Sequence, residues 1–93
     1  MDIFVNIYDK IIINMKNINI KKGIYKHSKS GRMYKVLGVA RHSETLEELM
    51  VYEAQYESEE FGKNSLWVRP IEMFTEVVEI NGEKLPRFQH VSE

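Results

Sequence analysis

The pair Asn81-Gly82 constrains this chain more than any other feature. Both residues tolerate the positive φ of a two-residue type I′ turn, so the flanking stretches 75–80 and 84–88 are predicted to fold back as a β-hairpin, with Pro86 marking an edge. The same period-two alternation runs upstream. Residues 23–27 alternate into Ser28-Lys29-Ser30-Gly31, a turn-forming cluster. Residues 32–41 form the longest strand candidate. There Tyr34, Val36 and Ala40 point to one face and Met33, Leu37 and Val39 to the other, so both faces should be at least partly covered. Gly38 sits mid-strand, where a bulge or bend is expected.

A polar connection over 42–48 leads to a strand over 49–56, with Met50, Tyr52, Ala54 and Tyr56 on one face. An acidic, glycine-containing loop follows over 58–64. A short strand over 65–69 then runs into Pro70, which suits the first position of a single helical turn over 70–74, with Met73 and Phe74 packing inward. This order predicts a mainly β fold: a small SH3-like (Tudor-like) barrel of five or six short antiparallel strands with one short helical turn.

Ninety-three residues are enough for one domain. The absence of cysteine excludes a disulfide framework, a thiolate nucleophile and a zinc-thiolate site, and fits a reducing cytoplasm. No apolar run approaches the ~20 residues of a spanning helix, so no membrane partner is expected. A formal net charge of -1 gives no global electrostatic case for DNA or an anionic membrane. A local basic set, Lys21, Lys22, Lys26, Lys29, Arg32 and Lys35, surrounds the first hairpin. It could contact phosphates or serve simply as a solvated edge.

Composition shifts near Lys21. Residues 1–20 hold seven Ile and four Asn and read as an N-terminal extension, helix or strand, ahead of a single β-barrel domain over 21–93. Met15 offers an alternative start. The extension is expected to be dispensable for folding, although its Ile residues could instead cover the second face of the long strand.

Several blocks of the chain occur together in order: Gly23-Ile24-Tyr25-Lys26-His27, Tyr34-Lys35-Val36-Leu37-Gly38-Val39-Ala40-Arg41-His42-Ser43-Glu44-Thr45, Val51-Tyr52, Trp67-Val68-Arg69-Pro70, Met73-Phe74 and Pro86-Arg87-Phe88. Over about residues 22–89 they resemble a small bacterial domain-of-unknown-function family, DUF1653. The loop 57–64 is a little longer than is typical of it. The resemblance implies a compact β domain and brings no activity with it, so function has to be read from the residues.

Three constellations could carry chemistry. Two imidazoles and a carboxylate, His27, His42 and Glu44, could in principle hold a metal or exchange protons. However, His27 and His42 end successive strands of a hairpin, and at ~3.3 Å per residue they lie tens of ångströms apart. Ser43 with His42 and Glu44 cannot form a triad, because neighbours on a strand face opposite ways. The third is an aromatic and arginine surface of Tyr25, Tyr34, Tyr52, Trp67 and Arg69, able to hold cations or stacked bases if the rings are not all used for the core. Trp67 and Arg69 alternate with Leu66 and Val68; if the latter pair faces the core, the former lines a groove.

These observations favour a non-catalytic binding module that recognises a small polar or anionic ligand, a nucleic-acid segment or a partner peptide. Its candidate residues are Trp67, Arg69, Arg41, His42, Glu44 and Tyr52, with Trp67 and Arg69 expected to share a concave surface with Arg41 or His42. No cofactor and no metal ligands are expected. The alternative is a small enzyme, or an enzyme's accessory domain, using His42 and Glu44 as acid/base groups. A third reading is a structural subunit that forms a homodimer through the N-terminal segment.

Overall fold

The structure, a computed structural model, describes residues 20–93. The expectations for the N-terminal segment, its start and its role in dimerisation included, fall outside the described residues. The elements in chain order are β1 (Gly23–His27), β2 (Met33–Arg41), β3 (Glu48–Ala54), β4 (Glu57–Ser58), β5 (Gly62–Lys63), β6 (Leu66–Pro70), α1 (Ile71–Phe74), β7 (Val77–Ile80), β8 (Glu83–Pro86) and β9 (Phe88–Ser92). All pairings are antiparallel, and the fold is mainly β.

Five strands form one sheet in the order β6-β3-β2-β1-β9. The sheet is open, which corrects the expected barrel. Among the described residues, strands β7 and β8 pair only with each other, so they do not bridge the two edges, β6 and β9. Pro70 lies on edge strand β6, where its missing N–H costs the sheet least. The Asn81-Gly82 turn forms as expected, with φ of 53° and 82°, and joins β7 to β8.

One face of the sheet is the inner face, and its membership follows from register. Directly opposed residues of antiparallel strands project to the same side. Val36 opposes Tyr52, which opposes Trp67 on the other side; Met50 opposes Arg69. Tyr52, Val36 and Met50 are buried, so Trp67 and Arg69 share the core-facing side. Leu66 and Val68 point outward, 64% and 58% exposed, and the arrangement in which they face the core does not occur.

The grouping within β2 also changes. The register jumps from Val36↔Tyr52 to Gly38↔Val51, leaving Leu37 as an extra bulge residue. The jump inverts the alternation, so Val39 opposes Met50 on the inner side and Ala40 opposes Leu49 on the outer one.

Helix α1 caps part of the inner face, packing against β3 and β6. Ile71 and Phe74 are buried, being three residues apart and hence on one helical side. Met73, expected inward, is 47% exposed. The turn ends where the Thr75 N–H and its Oγ1 both donate to the Ile71 carbonyl, at 2.9 Å each. The last strand departs from expectation as well. The hairpin strand stops at Pro86, and Phe88–Ser92 leaves it to pair with β1. That move brings Phe88 into the core, where its ring stacks on Phe74 at 4.2 Å with planes 5° apart. Burying each such large apolar side chain stabilises the fold by ~1.5–3 kcal/mol.

Candidate functional site

Helix α1 covers one part of the inner face and leaves another part open. The open part is the floor of a groove of about 770 Å³, within the usual range of small-molecule sites. The alternation of β2, β3 and β6 supplies Tyr34, Tyr52 and Trp67 to the floor, and β9 supplies Phe88. The β4–β5 hairpin forms one lip, with Glu57, Glu59, Glu60 and Phe61. The turn between β1 and β2 forms another, with His27, Ser30 and Arg32.

The rings of the floor hold one another edge to face, an arrangement the aromatic quadrupole favours. Tyr34 meets Tyr52 at 5.3 Å and Tyr56 at 5.6 Å, and its hydroxyl lies 2.7 Å from that of Tyr56. Burial, followed by this hydrogen bond, pushes the Tyr34 phenol well above its ordinary range, so it stays neutral. Trp67 meets Phe61 of the hairpin at 5.0 Å and donates from Nε1 to Ser65 Oγ at 2.9 Å.

Two guanidinium groups lie over rings of this wall. Arg32 sits 4.7 Å from the centre of Tyr56 and Arg69 5.6 Å from that of Phe88, both within cation–π range. No carboxylate among the described residues ion-pairs with either. Arg87, by contrast, is paired with Glu76.

His27 packs on the same Phe88 ring, at 5.0 Å. Its Nδ1 accepts from the Ser30 backbone N–H at 3.2 Å, which puts the proton of the neutral ring on Nε2. Burial, and then the charges of Arg69, Arg87 and Lys29, hold the imidazole below its ordinary pKa. A second hollow of about 450 Å³, lined by Lys29, Glu79 and Arg87 among others, lies on the other side of His27.

Of the sequence candidates, Trp67, Arg69 and Tyr52 line the groove together, and Arg41, His42 and Glu44 are outside its lining. The groove is at the end of β2 where Tyr34 opposes Ala54; Arg41 opposes Glu48 at the far end, and His42 and Glu44 occupy the turn beyond. Neither Arg41 nor His42 lines this groove, although Arg69 stands level with Val39 across β3, two residues short of Arg41. In that turn His42 Nδ1 accepts from the backbone N–H groups of Glu44 and Thr45 at 3.1 and 3.2 Å, and Arg41 donates to the Leu46 carbonyl at 2.7 Å. These side chains are occupied in shaping the turn.

Phe61, Phe88 and His27 were not singled out for this groove by sequence reasoning. Tyr56 carried a usable signal, since it continues the Met50-Tyr52-Ala54 alternation. Phe88 carried none, because its place depends on the pairing of β9 with β1.

An open antiparallel sheet with a helical turn over half of one face, and an aromatic groove over the other half, defines the class of domain. A family model described as a protein of unknown function, DUF1653, matches residues 23–90, and the chain belongs to that family. The crystal structure of a DUF1653 protein from Bordetella bronchiseptica is similar to it, with 31% identity and a TM-score of 0.69 over 81% of this chain and 95% of that one. No curated protein matches. Among the described residues no helix is long and apolar enough to cross a membrane, and no group of three or more His, Cys, Asp or Glu could hold a metal ion.

Proposed function

We propose that this domain is a non-catalytic binding module whose groove holds a small anionic ligand against Arg32 and Arg69. One observation carries the reading: two guanidinium groups, neither ion-paired among the described residues, lie over aromatic rings in one concave surface. Elsewhere on the domain the arginine side chains are engaged, Arg87 by Glu76 and Arg41 by the Leu46 carbonyl. An anion would supply the missing counter-charge through charge-assisted hydrogen bonds. The cysteine-free composition supports a cytoplasmic setting. The acid/base reading has less support, since His42 and Glu44 lie on an exposed turn outside the groove.

The test is a thermal-shift panel on the full chain with inorganic phosphate, pyrophosphate, benzoate and phenyl phosphate. A ligand at 100 times its dissociation constant stabilises by about 2.7 kcal/mol, on the order of ten degrees for a domain of this size. The expected result is a shift with at least one anion that disappears in Arg32→Gln/Arg69→Gln. If no anion shifts the melting point, or the double variant retains the shift, the proposal is wrong.

A further inference from the structure

Building on that reading, we infer that the ligand is a nucleotide unit, with its phosphate at the Arg69–His27 end of the groove and its base against the rings beside the β4–β5 hairpin. The groove combines cationic and imidazole groups with aromatic rings and carboxylates. At one end Phe88 carries both the His27 ring and the Arg69 guanidinium, so two nitrogen-bearing groups converge on one hydrophobic support. His27 Nε2, the protonated nitrogen of the neutral ring, has no hydrogen-bond partner among the described residues and is available as a donor. Guanidinium and imidazole together match the tetrahedral oxygens of a phosphate better than a single ammonium would.

The same groove is lined by the rings of Trp67, Phe61 and Tyr56 and, on the hairpin lip, by the carboxylates of Glu57, Glu59 and Glu60. Trp67 and Phe61 meet edge to face at 86°, a contact that leaves ring faces uncommitted. Stacking on such rings is worth enough per base to tighten binding about tenfold or more. The carboxylates repel a phosphate and accept hydrogen bonds from exocyclic amino groups. They therefore set the direction in which a nucleotide lies and favour amino-bearing bases over uracil or thymine. The Arg32 guanidinium, 4.7 Å from the centre of Tyr56, is the second cation of the groove. A free nucleotide and a nucleotide within a single strand present the same chemistry to the groove.

The chain has a single tryptophan, Trp67, and it lies in the groove, so its fluorescence reports occupancy directly. The full chain is titrated with inorganic phosphate, ribose 5-phosphate, cytidine, CMP, UMP and a pentacytidylate strand, and thermal shift serves as the second readout. The expected result is that CMP binds about tenfold or more tightly than ribose 5-phosphate or cytidine, and measurably more tightly than UMP. Arg69→Gln should abolish CMP binding, and Glu57→Gln/Glu60→Gln should remove the preference over UMP. Tighter, more salt-sensitive binding of the pentamer identifies a strand as the source, and equal binding identifies the free nucleotide; both support the inference. If ribose 5-phosphate binds as tightly as CMP, the nucleotide inference fails while the anion site stands. If nothing in the series binds and the anion panel above is also silent, both fail.

Discussion

A Cβ placed on Gly23 would stand 2.3 Å from the carbonyl oxygen of Ser92, so the two ends of the described chain meet where only a glycine fits. Gly23 has φ of 121°, a conformation that L side chains rarely adopt. It sits at the start of β1, against the end of the strand that carries Phe88 and His90. Gly23→Ala should force β9 away and uncover Tyr25, whose ring His90 contacts at 5.1 Å. Backbone strain alone costs about 1–3 kcal/mol. A fall in melting temperature of about ten degrees is expected by thermal denaturation; an unchanged Tm would show that β9 contributes little to the fold.

Leu46 offers the opposite case. It holds φ of 64° in the turn between β2 and β3, a conformation that costs an L-residue roughly 1–2 kcal/mol. Its side chain is 47% exposed, so little apolar burial offsets that cost. Asparagine tolerates the left-handed region and would keep the main-chain bonds to His42 and Arg41. Leu46→Asn should raise stability by about 0.5–1 kcal/mol in urea denaturation; a loss would mean that the side chain does more than its exposure suggests.

The alternation of Tyr25, Tyr34, Tyr52 and Trp67 was legible because it depends only on local period, and the Asn81-Gly82 turn was legible because it depends only on two backbone preferences. What could not be read was parity across a bulge and the destination of a strand. The extra residue at Leu37 inverts every assignment from Gly38 onward, and nothing local fixes whether the bulge falls before or after the glycine. The face of β6 was equally undetermined, since Leu66-Trp67-Val68-Arg69 offers apolar groups to both sides. Pairing with Tyr52 and Met50 settles it, turning Trp67 and Arg69 inward. The groove followed the same rule: Tyr52, Trp67 and Arg69 were readable as a surface, whereas Phe88 joins it only because β9 crosses to β1.

That inversion gives a direct test on one strand. Leu66 and Val68 are more exposed than Trp67 although all three are apolar. Leu66→Thr and Val68→Thr should each stay within about 0.5 kcal/mol of the parent. Trp67→Ala removes a side chain packed against the core, together with its bond to Ser65, and should cost about 2–3 kcal/mol. Chemical denaturation of the three variants checks the ranking; a larger loss at Val68 than at Trp67 would reverse the faces.

The last expectation concerns pH. His27 is held below its ordinary pKa, chiefly by burial and then by Arg69, Arg87 and Lys29. Because the folded value lies below the unfolded one of about 6.5, the unfolded chain binds the proton more readily. The stabilising contribution of neutral His27 is therefore complete above about pH 6.5 and is lost as the pH falls through the folded value. Glu79 lines the second hollow together with His27, Lys29 and Arg87, and Glu76 is paired with Arg87. An anion bound between Arg69 and His27 opposes the three cations and raises the imidazole pKa. Binding should therefore take up a proton, and affinity should increase as the pH is lowered from about 6.5 toward 5. A cyclic nucleotide suits the measurement, because its phosphodiester holds a fixed single charge over that range. Titration by Trp67 fluorescence at several pH values should show affinity rising on acidification in the parent and staying flat in His27→Gln, while the parent's melting temperature falls over the same interval. A parent affinity independent of pH would place the anion away from His27.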